Sequence, residues 1–132
     1  MPKPRGTILC VEDEPEVIEL IQVMLETAGY RVIGVLGGSE ALPVIRREKP
    51  DLVLLDLMMP GVDGWTVFKQ MRADPELQDI PVIPVTAVDR HIDVVLALEV
   101  AGVDEYVTKP FGREELVASV EKVLRRRRNK TN

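Results

Sequence analysis

The sequence has few of the residues that form disulfides or zinc sites. Its 132 residues include one cysteine, Cys10, and one histidine. Because a disulfide needs two cysteines, none forms within the chain, and we expect Cys10, which lies in a short apolar run, to be a buried, unreactive thiol. A zinc site built from several cysteines and histidines is excluded in the same way. A single buried cysteine fits a protein of the reducing cytoplasm.

Long apolar segments are also missing. Residues 1–6 are basic, but only a few apolar residues follow before Glu12, which is too few for the core of a signal peptide. No run elsewhere is long enough to cross a bilayer as a helix. The sequence therefore predicts a cytoplasmic protein that makes no membrane contact.

Positive charge is scarce except at the carboxyl end. The net charge is −5, yet residues 125–130 carry five positive charges and no acidic one. Residues 1–124 thus hold 12 basic and 22 acidic residues, a net charge of −10, and we expect this part to repel nucleic acid. With 45% apolar and 30% charged residues, the chain suits one domain over residues 7–124. Residues 1–6 form an extension, and residues 125–132 a basic tail or linker stub.

Short apolar runs alternate with segments of helical periodicity, which predicts an α/β fold with a parallel sheet and helices on both faces. The predicted strands are residues 7–11, 31–35, 51–56, 80–86 and 104–108. Five helices are predicted. They are Pro15 to Gly29, about 39–48 with a start distorted by Pro43, a third after Asp63-Gly64, about 90–101, and a last one before the arginines.

The fourth predicted helix has more apolar residues than one helix face can bury. Two stripes compete for the core: Ile92, Leu96 and Val100 on one side, and Val94, Val95 and Leu98 on the other. We expect one stripe to be partly exposed as a contact surface, unless neighbouring loops cover it.

Asp56 ends a strand that is predicted to be buried on both faces, where parallel α/β sheets keep their functional sites. If the strand order is 2-1-3-4-5, the first and third strands are neighbours, so Glu12 and Asp13 converge on Asp56. Two like charges 4 Å apart cost roughly 4 kcal/mol at an effective dielectric near 20. A proton, a lysine or a metal must relieve that repulsion, and carboxylate oxygens suit Mg²⁺ better than zinc.

Two polar residues lie at the ends of the remaining strands. Thr86 ends the fourth strand, and Lys109 follows the fifth. A hydroxyl and an ammonium opposite carboxylates and a divalent cation can surround a phosphoryl group, with Asp56 as the nucleophile of an aspartyl phosphate. Taken singly, Thr86 and Lys109 are ordinary residues, and residues 12–14 an acidic helix start. The combination favours the functional interpretation.

Four motifs carry a resemblance to a known family: ILCVEDE at 8–14, DLMMPGVDG at 56–64, PVTA at 84–87 and YVTKPF at 106–111. They resemble those of the receiver domains of two-component response regulators, and the resemblance spans residues 7–124. It implies a flavodoxin-like, doubly wound fold with five parallel strands in the order 2-1-3-4-5 and five helices.

The resemblance implies that Asp56 accepts a phosphoryl group from a phosphohistidine on a sensor kinase or a histidine phosphotransfer protein. Mg²⁺ is then bound by Asp13, Asp56 and the backbone carbonyl of Met58, with Glu12 acting through a water molecule. Such a domain catalyses its own phosphorylation and dephosphorylation, which is not the turnover of a conventional enzyme.

The same resemblance assigns the switch. Lys109 pairs with the phosphoryl oxygens, and its peptide bond to Pro110 is expected to be cis. Thr86 moves toward the phosphate, and Tyr106 turns inward behind it. The surface formed by the fourth predicted helix, the fifth strand and the last helix then changes. That surface would regulate a downstream protein or output domain, or form a phosphorylation-dependent homodimer.

Three other classes were weighed against this interpretation. A flavodoxin-type flavin carrier needs a phosphate loop after the first strand, where Glu12 and Asp13 would repel the phosphate. A phosphatase of the haloacid dehalogenase type has a second aspartate two residues after its nucleophile, where this chain has Met58. The remaining alternative is a receiver-like interaction module that is never phosphorylated.

Overall fold

The computed structural model describes residues 3–59, 61, 63–87, 99, 102, 103 and 105–131. Its centre is a parallel sheet of five strands in the order β2-β1-β3-β4-β5, which confirms the predicted topology. The strands are β1 (Thr7–Glu12), β2 (Arg31–Leu36), β3 (Leu52–Asp56), β4 (Val82–Ala87) and β5 (Val107–Lys109).

The helices begin close to where the sequence predicts them. They are α1 (Pro15–Glu26), a 3₁₀ turn (Gly38–Glu40) followed by α2 (Ala41–Glu48), α3 (Gly64–Ala73) and the C-terminal helix (Arg113–Thr131). The 3₁₀ turn is the distorted start that was expected before Pro43, which lies in the first turn of α2 and needs no backbone donor there. The fourth predicted helix lies outside the described residues, except for Glu99.

β3 begins one residue later than predicted, and β4 and β5 begin two and three residues later, these two for local reasons. β4 begins at Val82 rather than at residue 80, because Pro81 has no amide hydrogen to donate to a neighbouring strand. β5 begins at Val107 rather than at residue 104. The amide of Tyr106 donates instead to the carboxylate of Glu105 at 3.3 Å, so it is not available to the sheet.

Side chains of the central strands alternate between two apolar layers. One layer lies between the sheet and the pair formed by α1 and the C-terminal helix, and it contains Ile8, Cys10, Ile21, Leu54 and Leu116. The other lies against α2 and α3, and it contains Leu9, Ile45, Val53, Leu55 and Met71. Burial raises the pKa of the Cys10 thiol, which keeps it protonated and unreactive as expected.

Both ends of the described chain are fastened at the amino edge of the sheet. The Arg5 guanidinium lies 4.7 Å from the ring centroid of Tyr30 and 2.7 Å from the Glu121 carboxylate. Arg127 donates to the carbonyl oxygen of Asp51 at 2.9 Å, so part of the basic end is helical and packed. No helix among the described residues is long and apolar enough to cross a membrane.

The register of the strands brings four of their carboxyl ends to one level. Val11 of β1 pairs with Leu55 of β3, and Asp56 of β3 pairs with Val85 of β4. Ala87 of β4 pairs with Lys109 of β5. The polar residues at or just beyond these positions therefore share one edge of the sheet, as the sequence predicts.

Candidate functional site

Three acidic side chains meet at the carboxyl edge of the sheet. Carboxylate oxygens of Glu12, Asp13 and Asp56 all lie within 4.8 Å of one another. Glu12 and Asp56 are only 1% and 3% exposed, whereas Asp13 is half-buried. The structure thus brings together the three acids that the strand order predicts. Buried acids this close are stable only when positive charge or protons compensate them.

Lys109 supplies part of that positive charge. Its Nζ atom lies 3.1 Å from Oε2 of Glu12 and 3.3 Å from Oδ2 of Asp56. Burial lowers the pKa of the ammonium, but the hydrogen bond to Glu12 and the charge of Asp56 outweigh burial, so the pKa of Lys109 is raised. The side chain is therefore positively charged at neutral pH and contacts the carboxyl groups of both Glu12 and Asp56.

One lysine does not neutralise the negative charge of three carboxylates, and the pKa of Glu12 reflects the missing positive charge. Burial, reinforced by the neighbouring Asp56 carboxyl group, raises the pKa of Glu12 to about 8. The site therefore retains a proton where a second positive charge is missing. A donor set made only of carboxylate oxygens, short of positive charge and open to water through Asp13, fits a small hard cation such as Mg²⁺.

Each oxygen of the Asp56 carboxylate has its own donor. The backbone amide of Met58 donates to Oδ1 at 3.0 Å, and Lys109 donates to Oδ2 at 3.3 Å. Sequence reasoning assigned only the carbonyl group of Met58 to the site and missed its amide. Because donors from two different segments hold the two oxygens, the plane of the Asp56 carboxylate is fixed before any ligand arrives.

Gly64, the first residue of α3, allows the helix to approach the site. A Cβ atom there would overlap the backbone carbonyl oxygen of Asp56 and lie 2.7 Å from Cα of Leu57. The Gly64 amide also donates to the Leu57 carbonyl oxygen at 3.3 Å. Sequence analysis identified Gly64 only as part of a helix start. Glycine is a poor helix former, and its place in a first helical turn was the signal that sequence analysis overlooked.

Asp63 caps the same helix. Its Oδ1 atom accepts hydrogen bonds from the backbone amide of Thr66 at 2.9 Å and from the Thr66 hydroxyl at 3.0 Å. These two bonds lower the pKa of Asp63, because they favour the ionised carboxylate. Asp63 therefore caps α3, whereas Glu12, Asp13 and Asp56 form the acidic cluster.

Thr86 lies at the same edge and is completely buried. Among the residues that the structure describes, its hydroxyl has no hydrogen-bond partner. A buried hydroxyl without a partner is rare in proteins and costs free energy. Thr86 directly follows Val85, which pairs with Asp56. Its hydroxyl group therefore lies next to the acidic cluster.

The residues around β5 complete the site. The Lys109–Pro110 peptide bond is cis, as the resemblance implies. Tyr106 is half-buried and packs with Trp65 and Val103 against Leu57, the residue after Asp56. Tyr106 is therefore in contact with the segment that carries the acidic cluster, and its predicted inward turn remains a prediction.

The chain is similar to known proteins over most of its length. The family described as response regulator receiver domain matches residues 8–121. MtrA of Mycolicibacterium smegmatis, named as a DNA-binding response regulator, is 44% identical over 122 residues, which are 92% of this chain and 52% of MtrA. PhoP of Bacillus subtilis, an alkaline phosphatase synthesis transcriptional regulatory protein, is 45% identical over 119 residues, or 90% and 48% of the two chains.

Solved structures give the same result for the fold. A putative response regulator from Chloroflexus aurantiacus superposes with a TM-score of 0.85 at 37% identity, over 92% of this chain and 98% of that one. The chain spans about half the length of the curated relatives that it matches.

Proposed function

The chain belongs to the response regulator receiver domain family of two-component systems, and from this we propose that Asp56 is its phosphoryl acceptor. The donor is a phosphohistidine on a sensor histidine kinase or a histidine phosphotransfer protein. The observation that carries this proposal is the state of Asp56, which is buried, hydrogen-bonded at both oxygens and grouped with two further acids.

We assign the Mg²⁺ site to the same cluster. Asp13, Asp56 and the backbone carbonyl of Met58 bind the ion, and Glu12 acts through a water molecule. When bound, Mg²⁺ neutralises the repulsion between the carboxylates and the incoming phosphoryl oxygens. The carboxylate oxygens of Glu12, Asp13 and Asp56, which lie within 4.8 Å of one another, support this assignment.

Phosphoryl transfer at this site is a displacement on phosphorus. An oxygen of Asp56 forms a bond to phosphorus as the bond from phosphorus to the histidine nitrogen breaks, and the leaving nitrogen keeps the electron pair. Lys109, already 3.3 Å from Asp56, stabilises the negative charge on the phosphoryl oxygens. The fixed plane of the Asp56 carboxylate lowers the entropic cost of reaching the in-line geometry.

Thr86 and Lys109 convert the modification into a conformational change. The Thr86 hydroxyl, which has no partner among the described residues, gains an acceptor when a phosphoryl oxygen arrives. A hydrogen bond to a charged group contributes roughly 1.5–3 kcal/mol, which the Thr86 hydroxyl can contribute in full. Lys109 contributes less, because it exchanges its present contacts with Glu12 and Asp56 for a phosphoryl oxygen. Shifting a two-state equilibrium from 1:99 to 99:1 takes about 5.5 kcal/mol, so these two contacts supply part of the free energy of the switch.

The consequence of the switch is passed to a downstream protein or output domain. The surface that changes consists of the fourth predicted helix, β5 and the C-terminal helix, and it either contacts that partner or forms a phosphorylation-dependent homodimer. Tyr106 supports this route because it joins the Leu57 contact at the acidic cluster to the start of β5.

Intact mass measurement tests the proposal. Incubation with acetyl phosphate and Mg²⁺ should add about 80 Da to the chain. The Asp56→Asn variant should show no gain, while Asp63→Asn, a matched change outside the cluster, should still be labelled. Chelation of Mg²⁺ should abolish labelling. A wild-type chain that acetyl phosphate and a sensor kinase both leave unmodified would instead be a receiver-like interaction module.

A further inference from the structure

A second concave site lies at the opposite edge of the sheet from Asp56. This basal cleft has a volume of about 650 Å³, within the range of small-molecule sites in proteins. Its walls are the loop from Gln78 to Val82, the segment before β5 and the end of the C-terminal helix. The lining residues from the loop before β4 and from its first residue lie at the amino end of that strand, whereas the acidic cluster lies at the carboxyl end of the sheet. Val103 also packs against Leu57, the residue after Asp56.

The floor of the basal cleft is apolar. Ile80 comes from the loop before β4 and Val82 is the first residue of that strand. Val103 comes from the segment before β5, and Val123 from the C-terminal helix. Side chains of this kind favour an apolar group over water by roughly 25 cal/mol for each Å² that is covered. A ligand with a hydrocarbon or aromatic part fits this floor.

The rim of the cleft has more positive than negative charge. Three arginines, Arg72, Arg126 and Arg127, line it together with two acids, Asp79 and Glu105. Glu105 is paired at 3.2 Å with a lysine outside the cleft, Lys122. Arg127 lies 3.7 Å from the carboxylate of Asp51, which is outside the cleft lining, and Asp79 interacts electrostatically with Arg72. The positive charge left uncompensated at the rim is therefore that of Arg126.

The three arginines differ in the hydrogen bonds that their guanidinium groups already make. Arg127 contacts the Asp51 carbonyl oxygen at 2.9 Å. Arg72 donates from Nη1 to the carbonyl oxygens of Gln78 and Ile80, at 3.0 and 3.1 Å. Arg126 is exposed and has no hydrogen bond or ion pair with any residue that the structure describes. Arg126 and the remaining N–H groups of Arg72 are thus the groups available to bind an anion in the cleft.

We propose that the basal cleft binds a small amphipathic organic anion. Its apolar part rests on the valines and Ile80, and its carboxylate, phosphate or sulfonate group is held by Arg126 and Arg72. A guanidinium group presents several donors to such an anion in one plane. The occupant is small because an extended polyanion would also meet residues 1–124, whose net charge is −10.

A pair of fluorescent probes that differ in one charged group tests this proposal on the full chain. The probes are 8-anilinonaphthalene-1-sulfonate and its neutral counterpart, N-phenyl-1-naphthylamine. The sulfonate should bind with one-to-one stoichiometry, roughly tenfold more tightly than the neutral probe. Methyl groups of Val103 and Val123 should show the largest chemical shift changes in NMR spectra.

Two arginine variants separate the cleft from general electrostatic attraction. Arg126→Glu should weaken sulfonate binding by roughly tenfold or more, because it reverses the charge at the rim. Arg125→Glu makes the same change one residue earlier on the same helix and outside the cleft lining, and it should alter affinity by less than about twofold. Equal weakening by both variants, equal affinity for the two probes, or largest shifts at methyl groups outside the cleft lining would overturn the proposal. Acetyl phosphate labelling of Asp56 should be unchanged in both variants, so the outcome is independent of the proposed function.

Discussion

Replacement of Thr86 by valine should stabilise the unphosphorylated protein and remove part of its response to phosphorylation. Threonine and valine have nearly the same shape, and the change replaces a hydroxyl with a methyl group. In most buried sites this substitution is harmful because a hydrogen bond is lost. Thr86 is completely buried and its hydroxyl has no partner among the described residues, so here no bond is lost.

The size of the effect follows from the cost of burying that hydroxyl. An unsatisfied buried polar group costs about 1–3 kcal/mol, and Thr86→Val should recover about 1–2 kcal/mol of it as free energy of unfolding. For a chain of this length, each kcal/mol corresponds to about 4 °C in the midpoint of thermal unfolding. We therefore expect a rise of about 4–8 °C in the absence of phosphate analogues.

Urea unfolding with and without beryllofluoride and Mg²⁺ measures both effects. Beryllofluoride stands in for the phosphoryl group on Asp56, and its fluorine atoms can accept a hydrogen bond from Thr86. The wild-type protein should gain about 1–3 kcal/mol more from the analogue than Thr86→Val does. Thr108→Val is the matched control, because Thr108 pairs with Thr86 across the β4–β5 ladder and is half-buried. Its effect should be small and the same in both conditions.

One result would refute this reasoning. If Thr86→Val lowers the free energy of unfolding of the unliganded protein by more than about 1 kcal/mol, the hydroxyl already has a partner in the resting state. The switch would then begin by breaking that interaction, and the analogue would not supply its first acceptor.

Three further predictions concern the same edge of the sheet. Gly64→Ala should lower the free energy of unfolding by about 1–3 kcal/mol, because its Cβ atom would overlap the Asp56 backbone; Gly112→Ala, whose Cβ atom would meet only a side chain at 3.6 Å, should change it by less than about 1 kcal/mol in urea titrations. Asp63→Ala should cost about 0.5–2 kcal/mol as a lost helix cap. Because the pKa of Asp63 is lowered, that difference from wild type should be full above about pH 4 and should disappear as the pH falls through the folded pKa; a difference that grows in acid would contradict the cap. Mg²⁺ at 100 times its dissociation constant should stabilise the wild-type protein by about 2.7 kcal/mol, and Asp13→Asn or chelation should remove most of this gain in thermal unfolding; an equal gain in Asp13→Asn would place the ion elsewhere.

The acidic cluster was predictable because its geometry follows from topology. Apolar periodicity identifies the strands, the strand order makes β1 and β3 neighbours, and parallel strands place Glu12 and Asp56 at the same edge. Lys109 could be added because it directly follows an apolar run that reads as the last strand. The resemblance supplied the strand order, the other steps used only the order of residues along the chain, and the structure brings all three side chains together.

The features that sequence analysis missed depend on distances between atoms. The overlap that Gly64 avoids, and the lack of a partner for the Thr86 hydroxyl among the described residues, arise from how closely α3, β3 and β4 approach their neighbours. The bond from the Met58 amide to Asp56 depends on the conformation of the turn after β3. The start of β5 was missed for a related reason, because the Glu105 side chain captures the amide that would have extended the ladder. Periodicity reports which face of a segment is apolar, but not which side chain competes for one amide.

The fastening of the two chain ends bears on the kinetics of folding. The bond between Arg5 and Glu121 joins residues 116 positions apart, so it can form only after the intervening sheet and helices have brought the two ends together. We expect a contact of this kind to form after the transition state, and such contacts affect the unfolding rate rather than the folding rate. The ion pair between Arg5 and Glu121 should therefore slow the unfolding of the domain without speeding its folding.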